Sequence, residues 1–215
     1  MTNWWENLDA HECKGHSQTG EEGIIDWILQ SIGDGQRIAV DLGAGDGYVN
    51  SNVRFLADRG WRVLMVDGER RTTKDVVHAW ITAEGVADLL RQHGIPEAFD
   101  FLSLDLDGVD YWILRALLEA GFKPRLLVCE INGIHPRDRA VTIPYRADFR
   151  WPHTNYYGAS LAAFEKLGAA HGLRLVHVRH TLNAFFVRAD LVPEDAEIQI
   201  DYVRADYHGV PWVEV

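Results

Sequence analysis

The stretch Asp41-Leu42-Gly43-Ala44-Gly45-Asp46-Gly47 closes the apolar run Arg37 to Leu42 and decides how the chain is interpreted. Three glycines at alternate positions permit a tight turn out of a strand and let the backbone approach a ligand closely. The next segment, Ser51 to Arg59, has the apolar spacing of a helix and is ended by Gly60. The pattern predicts a strand, a glycine loop and a helix, the first unit of an α/β sheet with a ligand cradle.

Strands and helices alternate along the rest of the chain. Further strands are predicted at 61–66, 76–81, 101–106 and 125–131, and further helices at 24–32, 84–92, 107–121 and 158–171. The last two predicted strands, 173–178 and 184–187, are too close for a helical crossover and must form an antiparallel hairpin. The predicted fold is α/β, a doubly wound, mostly parallel seven-stranded sheet of the Rossmann-like type with a C-terminal antiparallel hairpin.

Composition limits the partners. The 215 residues are 47% hydrophobic and carry a formal net charge of −11, which suits one domain that binds a small molecule and disfavours a nucleic-acid partner. Met1 to Gly23 lacks the pattern of a signal peptide, and no run approaches the ~18 apolar residues of a membrane span. We expect a cytoplasmic protein with no membrane partner and reduced cysteines, because nothing supports a disulfide between Cys13 and Cys129.

Acidic residues around the loop indicate which cofactor it holds. A dinucleotide fingerprint needs Gly-x-Gly-x-x-Gly, and Tyr48 occupies its third glycine position. Asp41, just before the glycines, would repel a pyrophosphate and favours a cofactor that carries an ammonium and a sulfonium. Asp67, at the end of the second strand, is placed to accept hydrogen bonds from ribose hydroxyls, and Glu69 is equally suitable. The alternatives are a tight turn without a ligand, and an Asp67 that only caps a helix or is solvated.

A second acidic group is expected where the fourth and fifth strands end. Asp105, Asp107, Glu130 and Asn132 converge there if these strands are neighbours. One interpretation is a hard divalent cation such as Mg²⁺, with Asp105, Glu130 and Asn132 as candidate ligands. The other is binding of a cationic amine, or Asp105 acting as general base. Helix capping alone also explains Asp107 and Asp110.

The irregular stretch 133–158 is predicted to be a substrate lid. It contains two histidines suited to proton uptake near neutral pH and several aromatic residues able to contact a sulfonium: His135, His153, Tyr145, Trp151, Tyr156 and Tyr157. The alternatives are surface histidines and aromatic residues that only pack a loop. The pair Trp4-Trp5 either closes the site or forms a homodimer contact.

Several motifs, in order, resemble a known family. They are Ser17-Gln18-Thr19-Gly20-Glu21-Glu22-Gly23, the glycine loop, Ser51-Asn52-Val53-Arg54, the stretch from Phe101 to Trp112, Glu130-Ile131-Asn132, the stretch from Tyr156 to Leu161 and the stretch from Asn183 to Arg188. Together they resemble the class I S-adenosylmethionine-dependent methyltransferases, and within these a bacterial set related to the FkbM-type enzymes. His16 and Ile131 depart from that set, in which aromatic residues are usual.

The resemblance implies a cofactor site and candidate catalytic residues. Asp41, Gly43 and Gly45 would line the methionine part of S-adenosylmethionine, and Asp67 or Glu69 the ribose, while Ala44 and Asn52 would also contact the cofactor. Gln18 would cover the cofactor, Glu84 would lie near the adenine, and Asp105 would face the cofactor or the substrate. The candidate catalytic residues are Asp105, His135 and Tyr157. For Gln18 and Glu84, helix capping is the alternative.

The sequence therefore predicts a single domain, 1–215, with an N-terminal cap (1–33), the lid (133–158) and a tail (190–215) whose path it does not predict. The predicted function is methyl transfer to a hydroxyl or amine of a small molecule, in specialised metabolism. Three alternatives remain open: another displacement on the same sulfonium, such as cyclisation of the cofactor's aminobutyl chain; a nicotinamide-dependent oxidoreductase; and a binding module without catalysis. The acceptor is not predicted.

Overall fold

A computed structural model describes residues 3–33, 35–69, 73–203 and 213–214. The strands are β1 Ile38–Leu42, β2 Arg62–Asp67, β3 Val76–His78, β4 Ala98–Leu104, β5 Lys123–Glu130, β6 Val141–Thr142, β7 Leu173–Arg179, β8 Asn183–Arg188 and β9 Val213–Glu214. The main sheet has the order β3-β2-β1-β4-β5-β8-β7, and β6 pairs with β9 in a second, two-stranded sheet. In the main sheet β8 runs antiparallel to both β5 and β7, while the other pairs are parallel. The predicted fold class, including the C-terminal hairpin, is confirmed.

Helices cover both faces of the main sheet. They are α1 Glu21–Ser31, α2 Arg54–Asp58, α3 Val86–Gln92, α4 Asp110–Glu119 and α5 Leu161–Ala170, with 3-10 helices at Leu8–His11 and Ala189–Leu191. Because side chains alternate along a strand, Leu126 and Val128 of β5 pack toward α1 and α2, whereas Leu127 and Cys129 pack toward α3, α4 and α5. This two-sided burial explains why the strands are continuous apolar runs.

The start of α1 and the end of β3 are among the element boundaries that differ from the prediction. Helix α1 begins at Glu21 rather than at residue 24, and its first turn holds two acidic residues, which are favourable at a helix N-terminus. Strand β3 ends at His78. Beyond it the chain turns away, and the Trp80 indole donates a hydrogen bond to the carbonyl of Ala147.

The start of α4 corrects the capping prediction. The helix begins at Asp110, its N-cap is Val109, and Asp107 has a left-handed φ of 52°. The buried Asp110 carboxylate accepts hydrogen bonds from the N–H groups of Leu106 (2.7 Å) and Gly108 (2.9 Å). Asp110 therefore fixes the loop before the helix, whereas capping does not account for Asp107.

The described part of the tail returns to the sheet. Arg174 on β7 donates to the carbonyl of Pro193 (3.0 Å), and the Tyr202 hydroxyl donates to the carbonyls of Gly133 (3.1 Å) and His135 (2.7 Å). Residues 204–212 and 215 of the predicted tail, and residues 1–2 of the predicted cap, lie outside the described residues. Both cysteines are free thiols, and no helix in the described ranges is long and apolar enough to cross a membrane.

Candidate active site

The glycine loop follows β1 and is shaped by its protein neighbours. Gly43 has a φ of +95°, and a Cβ atom there would lie 1.6 Å from the backbone carbonyl oxygen of Asp105. A Cβ at Gly47, where φ is +77°, would lie 2.9 Å from Met65 Sδ. The close approach of the Asp105 backbone requires glycine at position 43, and the left-handed φ together with the Met65 side chain favours glycine at position 47.

The amide groups of the loop are used within the protein. Those of Gly43 (2.9 Å) and Ala44 (3.1 Å) donate to the carbonyl of Val66. The Gly45 amide donates to Asp67 Oδ2, and the Gly47 amide donates to the Ala44 carbonyl. The amides of Tyr48 and Val49 both donate to Asp46 Oδ1. The loop therefore does not offer these amides to a pyrophosphate, unlike the phosphate-binding loops of dinucleotide enzymes.

Asp67 and Glu69 lie just beyond the loop, at the carboxyl end of β2. Asp67 Oδ2 accepts from the Gly45 N–H at 2.8 Å, and Oδ1 accepts from the Glu69 N–H at 2.7 Å. The Asp67 carboxylate thus fixes the loop to β2. The Glu69 residue is exposed at the same end of the strand.

A polar chain connects β1, β4 and the segment before α2. Asp41 pairs in register with Ser103, whose hydroxyl hydrogen-bonds the Asp41 carboxylate. Asn52 Nδ2 in turn donates to Ser103 Oγ at 3.4 Å, while the buried Asn52 Oδ1 has no hydrogen-bond partner among the described residues. Burial, and then the negative charge of Asp67, raise the pKa of Asp41 to about 7. Sequence reasoning missed Ser103, although a polar residue interrupting a buried strand was a usable signal.

Three carboxyl groups meet at the ends of β4 and β5. Asp105, Asp107 and Glu130 each place an oxygen within 4.8 Å of the others. Burial, followed by the negative charges of Asp110, Asp107 and Asp41, raises the pKa of Asp105 to about 8. Burial and the charge of Asp105 raise the pKa of Glu130 well above its usual range. Neither Asp105 nor Glu130 takes part in an ion pair with a residue that the structure describes.

The other two residues predicted near this cluster have different surroundings. The buried Asn132 donates from Nδ2 to the carbonyls of Asn155 and Tyr157, both at 2.9 Å, and so holds the end of the lid. Burial, and then the negative charges of Glu130 and Asp107, raise the pKa of the Tyr157 phenol. Tyr157 is therefore a neutral hydrogen-bonding group at neutral pH.

The predicted catalytic His135 is buried at the start of the lid. Burial, and then the positive charge of Arg139, lower its pKa to about 4, so the imidazole is neutral at pH 7. Its backbone carbonyl accepts the hydrogen bond from Tyr202.

The lid is attached to the segment between β3 and α3. The Tyr145 hydroxyl donates to Glu84 Oε2 at 2.6 Å and accepts from the Ala83 N–H at 3.0 Å. Glu84 is exposed, and the hydrogen bond from Tyr145 lowers its pKa. In this structure Glu84 is therefore a point of lid attachment. The predicted cofactor cover, Gln18, is also exposed.

The N-terminal segment is held near the carboxyl end of β5. Glu22 Oε2 accepts from the N–H groups of Gly15, His16 and Ser17. Glu21 accepts from the Thr19 N–H and from Asn183 Nδ2, both at 2.8 Å. Because Asn183 pairs in register with Glu130, the start of α1 lies beside the acidic end of β5.

Known proteins give a limited comparison. No family model and no curated protein matches the chain. Among solved structures, magnesium protoporphyrin IX methyltransferase from Synechocystis PCC 6803 with bound SAH is 14% identical over 86% of this chain and 93% of that chain, with a TM-score of 0.43. A SAM dependent methyltransferase from Aquifex aeolicus is 13% identical over 76% and 89% of the two chains, with a TM-score of 0.41. An S-adenosylmethionine dependent methyltransferase from Mesorhizobium loti is 15% identical over 76% and 98%, with a TM-score of 0.42.

Arg179, at the end of β7, clamps the N-terminal segment. Its guanidinium donates to Asp9 Oδ1 at 2.6 Å, to the Thr19 carbonyl at 3.0 Å and to the Glu12 carboxylate. Only 9% of the Arg179 side chain is exposed, so the guanidinium depends on these acceptors for its hydrogen bonds.

We predict that Arg179→Ala loosens residues 9–19. Because the two carboxylates are about half exposed, we expect a loss of about 1.4 kcal/mol, which raises amide exchange in this segment about tenfold. Hydrogen exchange measured by mass spectrometry checks this. Arg188→Ala is the control, because it removes a surface pair with Asp190 and should leave exchange at 9–19 unchanged. Equal exchange in both variants would contradict the clamp.

Proposed function

We propose that this protein is an S-adenosylmethionine-dependent methyltransferase of the FkbM-related set, and that it acts on a hydroxyl or amine of a small molecule. The observation that carries the proposal is the set of carboxyl groups at the carboxyl ends of β1, β4 and β5. Asp41, Asp105 and Glu130 form no ion pair with any residue in the described ranges. Burying acids without a compensating charge is costly, so a cationic ligand is the natural occupant.

The residues around the glycine loop suit such a cofactor. The Asn52 Oδ1 atom is buried without a partner and lies on the hydrogen-bonded chain that leads to Asp41. Asp41 and Asn52 would hold the cofactor's ammonium, and Asp67 and Glu69 its ribose hydroxyls. When bound, S-adenosylmethionine supplies an activated methyl group on a sulfonium.

The acceptor would lie between β4, β5 and the lid. Asp105 would orient the hydroxyl or amine of the acceptor and, in the ionised form that its pKa of about 8 makes a minor one at neutral pH, receive its proton. Tyr157, which stays protonated, would donate a hydrogen bond. His135 is neutral and would accept a hydrogen bond rather than carry a charge. The lid, attached through Asn132 and Tyr145, would exclude water from this space.

The arrangement counts against the nicotinamide alternative. A pyrophosphate needs free amide groups and a positive environment, whereas the amides of Gly43, Ala44 and Gly45 donate within the protein and acids surround the loop. Cyclisation of the cofactor's own aminobutyl chain would use the same cation-binding site. The reaction products distinguish this cyclisation from methyl transfer.

Calorimetric titration with S-adenosylhomocysteine and with NAD⁺ tests the proposal. We expect the first to bind and the second not to. Asn52→Ala should weaken binding at least tenfold, because a hydrogen bond to a charged group is worth about 1.5–3 kcal/mol. Gln36→Ala is the matched control, since Gln36 donates to the Ala98 carbonyl at the amino ends of β1 and β4, away from the site.

Two results would contradict the proposal. One is binding of NAD⁺ without binding of S-adenosylhomocysteine. The other is release of methylthioadenosine from S-adenosylmethionine and protein alone, which would favour cyclisation.

A further inference from the structure

The Asp105, Asp107 and Glu130 cluster has the dimensions of a cation site. Oxygens from the three side chains lie within 4.8 Å of one another. Two ligands on opposite sides of a divalent cation are about 4–5 Å apart, since oxygen ligands lie at about 2.0–2.6 Å from Mg²⁺ or Ca²⁺. One ion could therefore contact all three carboxyl groups after small side-chain adjustments.

Glu130 gives independent support for a ligand at this point. The residue is only 9% exposed, and its buried Oε2 accepts no hydrogen bond from an N–H or hydroxyl group of the described residues. Its carboxyl group is in hydrogen-bonding contact with that of Asp105, and one of its oxygens lies within 4.8 Å of oxygens of both Asp105 and Asp107. Buried polar atoms are nearly always satisfied, and an acceptor left in this way indicates a bound ion or donor.

The charge of the cluster favours a divalent ion over an ammonium group. Besides the three carboxyl groups, the buried Asp110 and Asp41 act on Asp105 with further negative charge. A singly charged ammonium leaves most of this charge uncompensated, whereas a divalent ion neutralises twice as much in the same space. Carboxylate oxygens are the preferred ligands of hard cations.

We infer that Asp105, Asp107 and Glu130 bind one hard divalent cation such as Mg²⁺ or Mn²⁺. This set contains Asp107 in place of the sequence candidate Asn132, because the Asn132 amide holds the lid carbonyls. Binding of the ion does not depend on the proposed methyl transfer. Its use in the reaction does rest on that function, and there it would hold an oxygen-bearing acceptor, so the acceptor would be a hydroxyl rather than an amine.

Mn²⁺ titration of the full chain, followed by electron paramagnetic resonance, tests the inference. We expect one Mn²⁺ per chain, displaced by excess Mg²⁺. Glu130→Gln and Asp107→Asn should each weaken Mn²⁺ binding at least tenfold. Asp88→Asn is the control, because Asp88 is an exposed acid on α3 with 73% of its side chain accessible. Circular dichroism shows whether each variant is folded, and Asp107→Asn, at an exposed position, keeps the test usable if Glu130→Gln is not.

The outcomes separate this inference from the proposed function. Absence of Mn²⁺ binding at millimolar concentration, or binding that Asp107→Asn leaves unchanged, would overturn the cation site whatever S-adenosylhomocysteine does. Mn²⁺ binding that depends on Asp107, in a protein that does not bind S-adenosylhomocysteine, would support the site and contradict the methyltransferase.

Discussion

Gly43→Ala is expected to unfold the protein or to lower its free energy of unfolding by more than about 4 kcal/mol. The added Cβ would lie 1.6 Å from the carbonyl oxygen of Asp105 and 2.6 Å from its carbonyl carbon. The backbone cannot easily move at either residue, because the Gly43 N–H donates a hydrogen bond to the carbonyl of Val66 and the Asp105 N–H donates one to the carbonyl of Leu42. The left-handed φ of +95° adds about 1–2 kcal/mol of strain for any residue with a Cβ.

Gly60→Ala is the matched control for this substitution. Gly60 also has a left-handed φ, +79°, but a Cβ there would meet no atom within 4 Å. We therefore expect a loss of only about 1–2 kcal/mol, from backbone strain alone. Urea denaturation of both variants measures the difference. If Gly43→Ala lies within about 1 kcal/mol of Gly60→Ala, the close approach of β4 is not what requires this glycine.

Asp41→Asn is expected to stabilise the protein in alkaline solution and to weaken cofactor binding. Burial raises the pKa of Asp41 from 3.8 to about 7 in the folded protein. A carboxyl group with a raised pKa contributes stability that is present below pH 3.8 and is lost as the pH rises through 7. This shift corresponds to about 4 kcal/mol at pH 8. Asparagine has nearly the same shape and carries no charge, so it avoids this loss.

Urea denaturation at pH 4 and pH 8 measures the effect of Asp41→Asn. The variant and the original protein should have similar free energies of unfolding at pH 4, and the variant should be the more stable by several kcal/mol at pH 8. Asp148→Asn is the control, since the pKa of this exposed residue is lowered by its bond to Arg146, and it should give no gain. A variant that is destabilised equally at both pH values would show that the Asp41 charge is not buried as described.

The fold was predictable because its signals are local. Strands buried on both faces read as apolar runs, glycines mark the turns, and the short connection after β7 permits only a hairpin. Boundaries were less predictable where tertiary contacts decide them. The side chain of Trp80 turns toward Ala147, in the lid, and β3 ends before the apolar pattern does.

The site was predictable only as far as topology dictates it. Neighbouring parallel strands bring their carboxyl ends together, so the meeting of Asp105 with Glu130 followed from strand order alone. Partners outside the sheet did not follow. Nothing in the sequence near Asn132 indicates that its amide binds the lid carbonyls, because that contact joins residues 23 positions apart and depends on how the lid folds back.

The clamp on the N-terminal segment also sets an order of assembly. Arg179 contacts Asp9 and Thr19 across 170 and 160 residues of chain, and Asn183 contacts Glu21 across 162. A ribosome makes every strand of the cradle before it makes these two residues. Until the last hairpin emerges, the N-terminal segment lacks these partners, and contacts over such distances in sequence form slowly. The end of the sheet that carries the candidate site is thus completed only after β7 and β8 have been made, by residues remote from the glycine loop.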